Sequence, residues 1–127
     1  ASYATGMPSF APLCALNAGL RYIEGVGAER IARHADPLVR ATHEGLTALG
    51  LAPLAPYDAQ CVSGIVSFRH PAAEPLHAAL RQDGVHLMRH AGRLRVSIHG
   101  YNTSDDVARL LDSLKRALVR FGHPNSP

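Results

Sequence analysis

Residues 84–114 read GVHLMRHAGRLRVSIHGYNTSDDVARLLDSL, and their pattern decides the fold. Val85 to Arg89 has the composition of a strand, His90-Ala91-Gly92 of a tight turn, and Leu94 to Ile98 of a strand returning antiparallel to the first. Alternation along the returning strand sends Arg93 and Arg95 to one face and Leu94 and Val96 to the other. Thr103 then opens a helix. Its hydroxyl can accept from a free N–H of the first turn, and Asp106, three residues on, can accept from the Thr103 N–H. Asp105 and Asp106 also lie at the positive end of the helix dipole. Val107, Leu110, Leu111, Leu114 and Leu118 follow at steps of three and four, an apolar stripe reaching about Phe121.

Upstream of this hairpin and helix, Cys61 to Phe68 is β-branched and aromatic and alternates Ile65 and Ser67 against Val66 and Phe68, which predicts a strand that Pro71 ends. Pro75 to Gln82 predicts a helix with Leu76, Ala79 and Leu80 inward and Gly84 as its cap. Residues 51–60 hold two prolines and no periodicity, and read as a connection. Ala28 to Leu49 predicts a helix stopped by Gly50, with Pro37 kinking or breaking it. Residues 9–25 carry Leu13, Leu16, Leu20 and Ile23 on one helical face, with Gly25 and Gly27 at the exit. The order is α-α-β-α-β-β-α. Its economical packing is an α+β fold: two N-terminal helices, then β-α-β-β-α, with a three-stranded antiparallel sheet and helices on one face. Residues 1–127 read as a single domain, with 1–8 an N-terminal arm and 122–127 a C-terminal tail.

Composition agrees with one folded domain. The chain has 127 residues, 46% hydrophobic and only 18% charged, so self-repulsion does not keep it unfolded. No apolar run is long enough for a membrane helix, and residues 1–10 lack the pattern of a signal peptide. The net charge of +3 comes from scattered arginines and one lysine, Lys115, without interleaved aromatics, which argues against a nucleic-acid surface. Cys14 and Cys61 sit in apolar surroundings and read as buried thiols of a reducing cytosol.

Several constellations compete for a chemical role. His86, His90 and His99 lack the partners and spacing of a zinc site. Ser97, His99 and Asp105 can be drawn as a triad, but no nucleophile elbow supports it. Gly25-Val26-Gly27 follows a helix and lacks the third glycine of a dinucleotide fingerprint. Arg93 and Arg95 suit bidentate capture of a carboxylate or phosphate, with a solvated strand face as the plainer reading. These residues alone also fit a stand-alone α+β module that binds a small anion or amino acid, or that oligomerises.

The run Arg95-Val96-Ser97-Ile98-His99-Gly100-Tyr101-Asn102-Thr103, with Asp106-Val107 and the leucine stripe, resembles the C-terminal motif of class V aminotransferases. Thr5-Gly6-Met7-Pro8-Ser9-Phe10, with Ala15-Leu16 and Gly19-Leu20-Arg21-Tyr22-Ile23, is similar to that family's Gly-Thr-Pro segment and the helix after it. These are pyridoxal-phosphate enzymes of fold type I, among them cysteine desulfurases, kynureninases and isopenicillin-N-epimerase-like proteins. The resemblance implies the small C-terminal domain of a longer cytoplasmic, homodimeric enzyme, inactive without the large domain that carries the cofactor-binding lysine. It implies that Arg95 binds the α-carboxylate of an amino-acid substrate. It also implies that Gly6, Met7 and Pro8 lie near the cofactor phosphate of a neighbouring subunit, with Met7 standing where the family often has threonine. Cysteine desulfurases of the family carry a nucleophilic cysteine just ahead of the arginine strand. Here that place is His90-Ala91-Gly92, so the resemblance favours a transaminase, epimerase or lyase.

Overall fold

The structure, a computed structural model, describes residues 9–59 and 63–122. The element order is α1 (Phe10–Val26), α2 (Ala28–Ala48), β1 (Ile65–Arg69), α3 (Ala73–Gln82), β2 (Met88–His90), β3 (Arg93–Ser97) and α4 (Ser104–Phe121). This is the α+β order expected from the sequence. The chain divides into two compact units, residues 1–32 and 33–127.

In the first unit, α1 buries none of its residues. Leu13, Leu16, Leu20 and Ile23, the stripe expected to face a core, are all exposed. Cys14 is an exposed free thiol, which corrects the expectation of a buried one. An apolar helical face says that something can cover it, not that its own unit does. Cys61 lies outside the described residues. The Gly27 N–H closes α1 on the Ile23 carbonyl at 2.9 Å, and the Gly27 carbonyl accepts from Arg30 and Ile31 to begin α2.

The part of α2 that belongs to the second unit, from residue 33 on, runs through Pro37 without a break. The proline forfeits one backbone bond, but Leu38, Val39 and Leu46 are buried and hold the helix against the core. Helices α2 and α3 end alike. The Leu51 N–H reaches Leu46 O at 2.9 Å and Gly50 N–H reaches Thr47 O; the Val85 N–H reaches Leu80 O at 2.9 Å and Gly84 N–H reaches Arg81 O. Both are Schellman caps, and both need the left-handed backbone that Gly50 (φ 73°) and Gly84 (φ 75°) supply.

The sheet order is β1-β3-β2, antiparallel throughout. β1 is shorter at its start than the expected Cys61–Phe68 and extends one residue further, to Arg69. Its first pair, Ile65 with Ser97, is where β3 ends, and its last, Arg69 with Arg93, is where β3 begins. β2 occupies 88–90, not 85–89, because the residues before it are already engaged. The Val85 N–H caps α3, and the Leu87 carbonyl is bonded to His77 Nε2 at 3.0 Å. Ala91 (φ 48°) and Gly92 (φ 70°) form the two-residue turn whose twist suits a hairpin.

Val66 and Phe68 of β1 and Leu94 and Val96 of β3 share one core with buried residues of α2, α3 and α4. Val107, Leu110, Leu114 and Leu118 of the expected stripe are buried, with Leu111 packed at the margin. Buried His70 joins the end of β1 to two helices. Its Nδ1 accepts from the Ala72 N–H at 3.0 Å, so the other ring nitrogen, Nε2, donates to Gly122 O at 3.1 Å. Asp83, after α3, accepts from Ser113 Oγ at 2.5 Å and Arg116 at 2.7 Å on α4.

The expected capping box of α4 is present. The Thr103 N–H donates to Asp106 Oδ2 at 2.9 Å, and the Asp106 N–H donates to Thr103 Oγ1 at 3.4 Å. Thr103→Ala is expected to cost about 1 kcal/mol. Asp106→Ala should cost less, and the double variant less than the sum, because both side chains serve one helix end. Denaturant melts of the three variants check this.

Acid should act through two carboxylates. The Ser113 and Arg116 hydrogen bonds hold the Asp83 carboxyl below its usual range. The backbone bond from Thr103, with help from Asn102, does the same for Asp106. A carboxylate with a depressed folded-state pKa stabilises the fold fully above its unfolded value, about 3.9, and loses that contribution as pH falls through the folded value. The Asp83→Asn variant should therefore show a shallower loss of stability than the parent below about pH 4, read from urea midpoints across an acid series.

Candidate functional site

The pleat that buries Leu94 and Val96 turns Arg93, Arg95 and Ser97 to the opposite face of β3. Register brings the matching residues of the neighbouring strands beside them. Across β1, β3 and β2 run two rows: Arg69, Arg93 and His90, then Ser67, Arg95 and Met88. Ile65 and Ser97 continue the face. Ser67, Arg95 and Ser97 are half-buried, and the other five are exposed. None of the eight is an acid.

Ser67, Met88, His90, Arg93 and Arg95 line a recess of about 240 Å³. Within it, Arg95 Nε is shielded from solvent and has no hydrogen-bond partner among the described residues. The ion pairs among those residues use other arginines, Arg89 with Glu74 at 3.7 Å and Arg116 with Asp83 at 2.7 Å. A guanidinium held on a strand, in a recess that offers it no acid, is suited to take a planar anion through parallel hydrogen bonds. A buried donor without a partner costs free energy until such an anion meets it.

Of the residues singled out in the sequence, the structure puts Arg93, Arg95 and His90 in the lining of this recess. Gly6, Met7 and Pro8 lie outside the described residues. Lys115 is exposed on α4. His99 stacks on Tyr101 with ring centroids 5.6 Å apart. Ser97 stays on the sheet face and Asp105 in the first turn of α4, and no hydrogen bond joins the three among the described residues. Nor, among those residues, do three or more His, Cys, Asp or Glu side chains gather as a metal site. No helix among them is long and apolar enough to cross a membrane. Ser67, Met88 and His90 were not anticipated as neighbours of Arg95. Alternation alone turned Ser67 outward, but strand register, a long-range property, decides what it stands beside.

Comparison with known proteins places this arrangement. The chain matches the family described as aminotransferase class-V over residues 1–110. A probable cysteine desulfurase of Pyrococcus abyssi is 28% identical over 128 residues, covering 89% of this chain and 32% of that protein. The apo structure of a cysteine desulfurase from Thermococcus onnurineus superposes with a TM-score of 0.79 at 28% identity, over 93% of this chain and 33% of that one. A cysteine desulfurase structure from Escherichia coli gives a TM-score of 0.76 at 20% identity, over 91% and 32%, a likeness of fold alone. The chain thus spans about a third of the length of these relatives. With the family match running through the hairpin, the arginine strand and the first turns of α4, the chain belongs to the class V aminotransferases, whose full-length members use pyridoxal phosphate.

Proposed function

We propose that this chain is the small domain of a pyridoxal-phosphate enzyme acting on an amino acid, and that Arg95 holds the substrate α-carboxylate. The observation that carries the reading is the half-buried guanidinium of Arg95, its Nε without a partner among the described residues, in a recess free of acids. The described residues fit the carboxylate end of such a site. They do not fit the cofactor's covalent anchor, because Lys115 is exposed on α4 and no dry pocket surrounds it. That anchor belongs to a further part of a longer polypeptide, as the relatives' lengths support. Gly6, Met7 and Pro8 are assigned to the surroundings of the cofactor phosphate in a neighbouring subunit, within a cytoplasmic homodimer.

When bound, the cofactor supplies an electron sink for negative charge at the substrate α-carbon. The contribution of this chain is orientation. Two bonds from one guanidinium fix the plane of the carboxylate, and with it the directions of the remaining bonds at the α-carbon. The β3 backbone, bonded on both sides, holds the guanidinium's attachment point. Water is kept from the inner edge of the guanidinium, where Nε is shielded, which strengthens the charge-assisted bonds. The desulfurase activity named for the relatives is not carried to this chain. The turn from β2 to β3 offers Ala91 and Gly92 where a nucleophilic cysteine would stand, and Cys14 lies on α1. Transamination, epimerisation or a lyase reaction is the chemistry we assign.

Arg95→Lys in the cofactor-loaded polypeptide should impair amino-acid binding strongly while the cofactor stays bound, because an ammonium lacks the planar fork. Arg95→Ala should be worse, by about 2–5 kcal/mol, nearer the lower figure for a half-buried group. A titration with amino acid, followed through the cofactor's absorbance, measures both. Unchanged affinity in Arg95→Ala would overturn the assignment. In a separate test, Lys115 should not be labelled selectively and to stoichiometry when the 127-residue chain is mixed with pyridoxal phosphate and reduced with borohydride. Stoichiometric labelling of Lys115, mapped by peptide mass, would contradict the fit described above.

A further inference from the structure

The first row of the open sheet face carries more positive charge than one carboxylate needs. Arg69 and Arg93 are direct partners across β1 and β3, and His90 is the partner of Arg93 on β2. Like charges directly opposite on neighbouring strands are destabilising. On the other face of the same sheet an arginine is answered by an acid: Arg89 of β2 has Glu74 of α3 at 3.7 Å. On the open face neither Arg69 nor Arg93 has an ion-pair partner among the described residues. The fold therefore sets two opposed guanidiniums one row from Arg95 and leaves them unanswered.

Spacing and volume say what would answer them. Arg93 and Arg95 are two residues apart on one strand, so their attachment points are about 7 Å apart on the same face. Both line the same recess of about 240 Å³, as does His90. A flexible stem lets each guanidinium swing toward the other, so the pair can hold two acid groups of one small molecule. Resting on the reading of Arg95 given above, we propose that the substrate is an amino acid with a second anionic group on its side chain. Its α-carboxylate sits on Arg95 and its side-chain acid on Arg93, with Arg69 adding positive field from the same row.

The test uses pairs that differ in charge and hardly in shape: L-glutamate against L-glutamine, and L-aspartate against L-asparagine. Binding to the cofactor-loaded polypeptide that carries this chain is measured by calorimetry. In the parent, the acid of at least one pair should bind about tenfold tighter or more, the effect of one charge-assisted hydrogen bond, and the preference should shrink as salt is raised. Arg93→Gln should reduce that preference to about threefold or less. Arg95→Gln should weaken both members of a pair. Because Arg93 is exposed and faces Arg69, Arg93→Gln should melt at the parent's temperature or slightly above it, and Arg69→Gln likewise.

Equal binding of acid and amide in the parent, or a preference that survives Arg93→Gln, overturns the proposal and leaves the α-carboxylate role of Arg95 standing. A clear fall in melting temperature for both Arg93→Gln and Arg69→Gln, with no preference in the parent, overturns it in favour of an acidic segment of the same polypeptide lying on the row. Undiminished binding of both members to Arg95→Gln instead removes the underlying reading. Failure of all four amino acids to bind overturns both.

Discussion

Each side chain of β3 is committed to one side of a pleated sheet, and this commitment organises the second unit. Leu94 and Val96 go inward and Arg93, Arg95 and Ser97 outward, so the packed face and the open face are specified by the same five residues. Slipping the strand by one position would drive two guanidiniums among Phe68, Leu76 and Leu114, a cost no core of this size can offset. Burial of the leucine and valine therefore fixes where Arg95 stands, and the position of the proposed binding group follows from hydrophobic packing.

The elements that the sequence made legible are those governed by local chemistry. Thr103 and Asp106 cap α4 as their three-residue spacing required, and Gly50 and Gly84 stop α2 and α3 through the backbone conformation that glycine adopts readily. The alternation of Arg93 to Val96 gave the two faces of β3. What was not legible depends on partners distant in sequence. β1 begins at Ile65 because β3 ends opposite it, and β2 is short because Val85 and Leu87 already bond to α3. Pro37 stays inside α2 because the buried face on either side of it outweighs one lost bond. The apolar neighbours of Cys14 suggest burial, but they cannot reveal that α1 buries none of its residues.

The site was legible to a similar degree. Arg95 followed from its place in the Arg95–Thr103 run, and its outward direction from alternation. The company it keeps did not, since Ser67 stands 28 positions earlier and meets it only through register. The absence of any acid from the open face is likewise a property of three strands together. Each strand by itself reads as an ordinary amphipathic one.

β3 is the central strand of the sheet, with a ladder to β1 on one side and to β2 on the other. β2 can fray by surrendering one ladder, and β1 by surrendering one ladder and the Leu54 N–H bond to Ser67 O, but β3 is released only when both ladders give way. Local opening of this sheet thus begins at its margins, and the amides of β3 exchange with solvent through the larger, more cooperative openings of the unit. The backbone beneath Arg95 is in consequence tied to the stability of the whole unit. Slow loop motion has little purchase on such a strand, and adjustment of Arg95 falls to the guanidinium's own side-chain torsions, on the timescale of rotamer exchange.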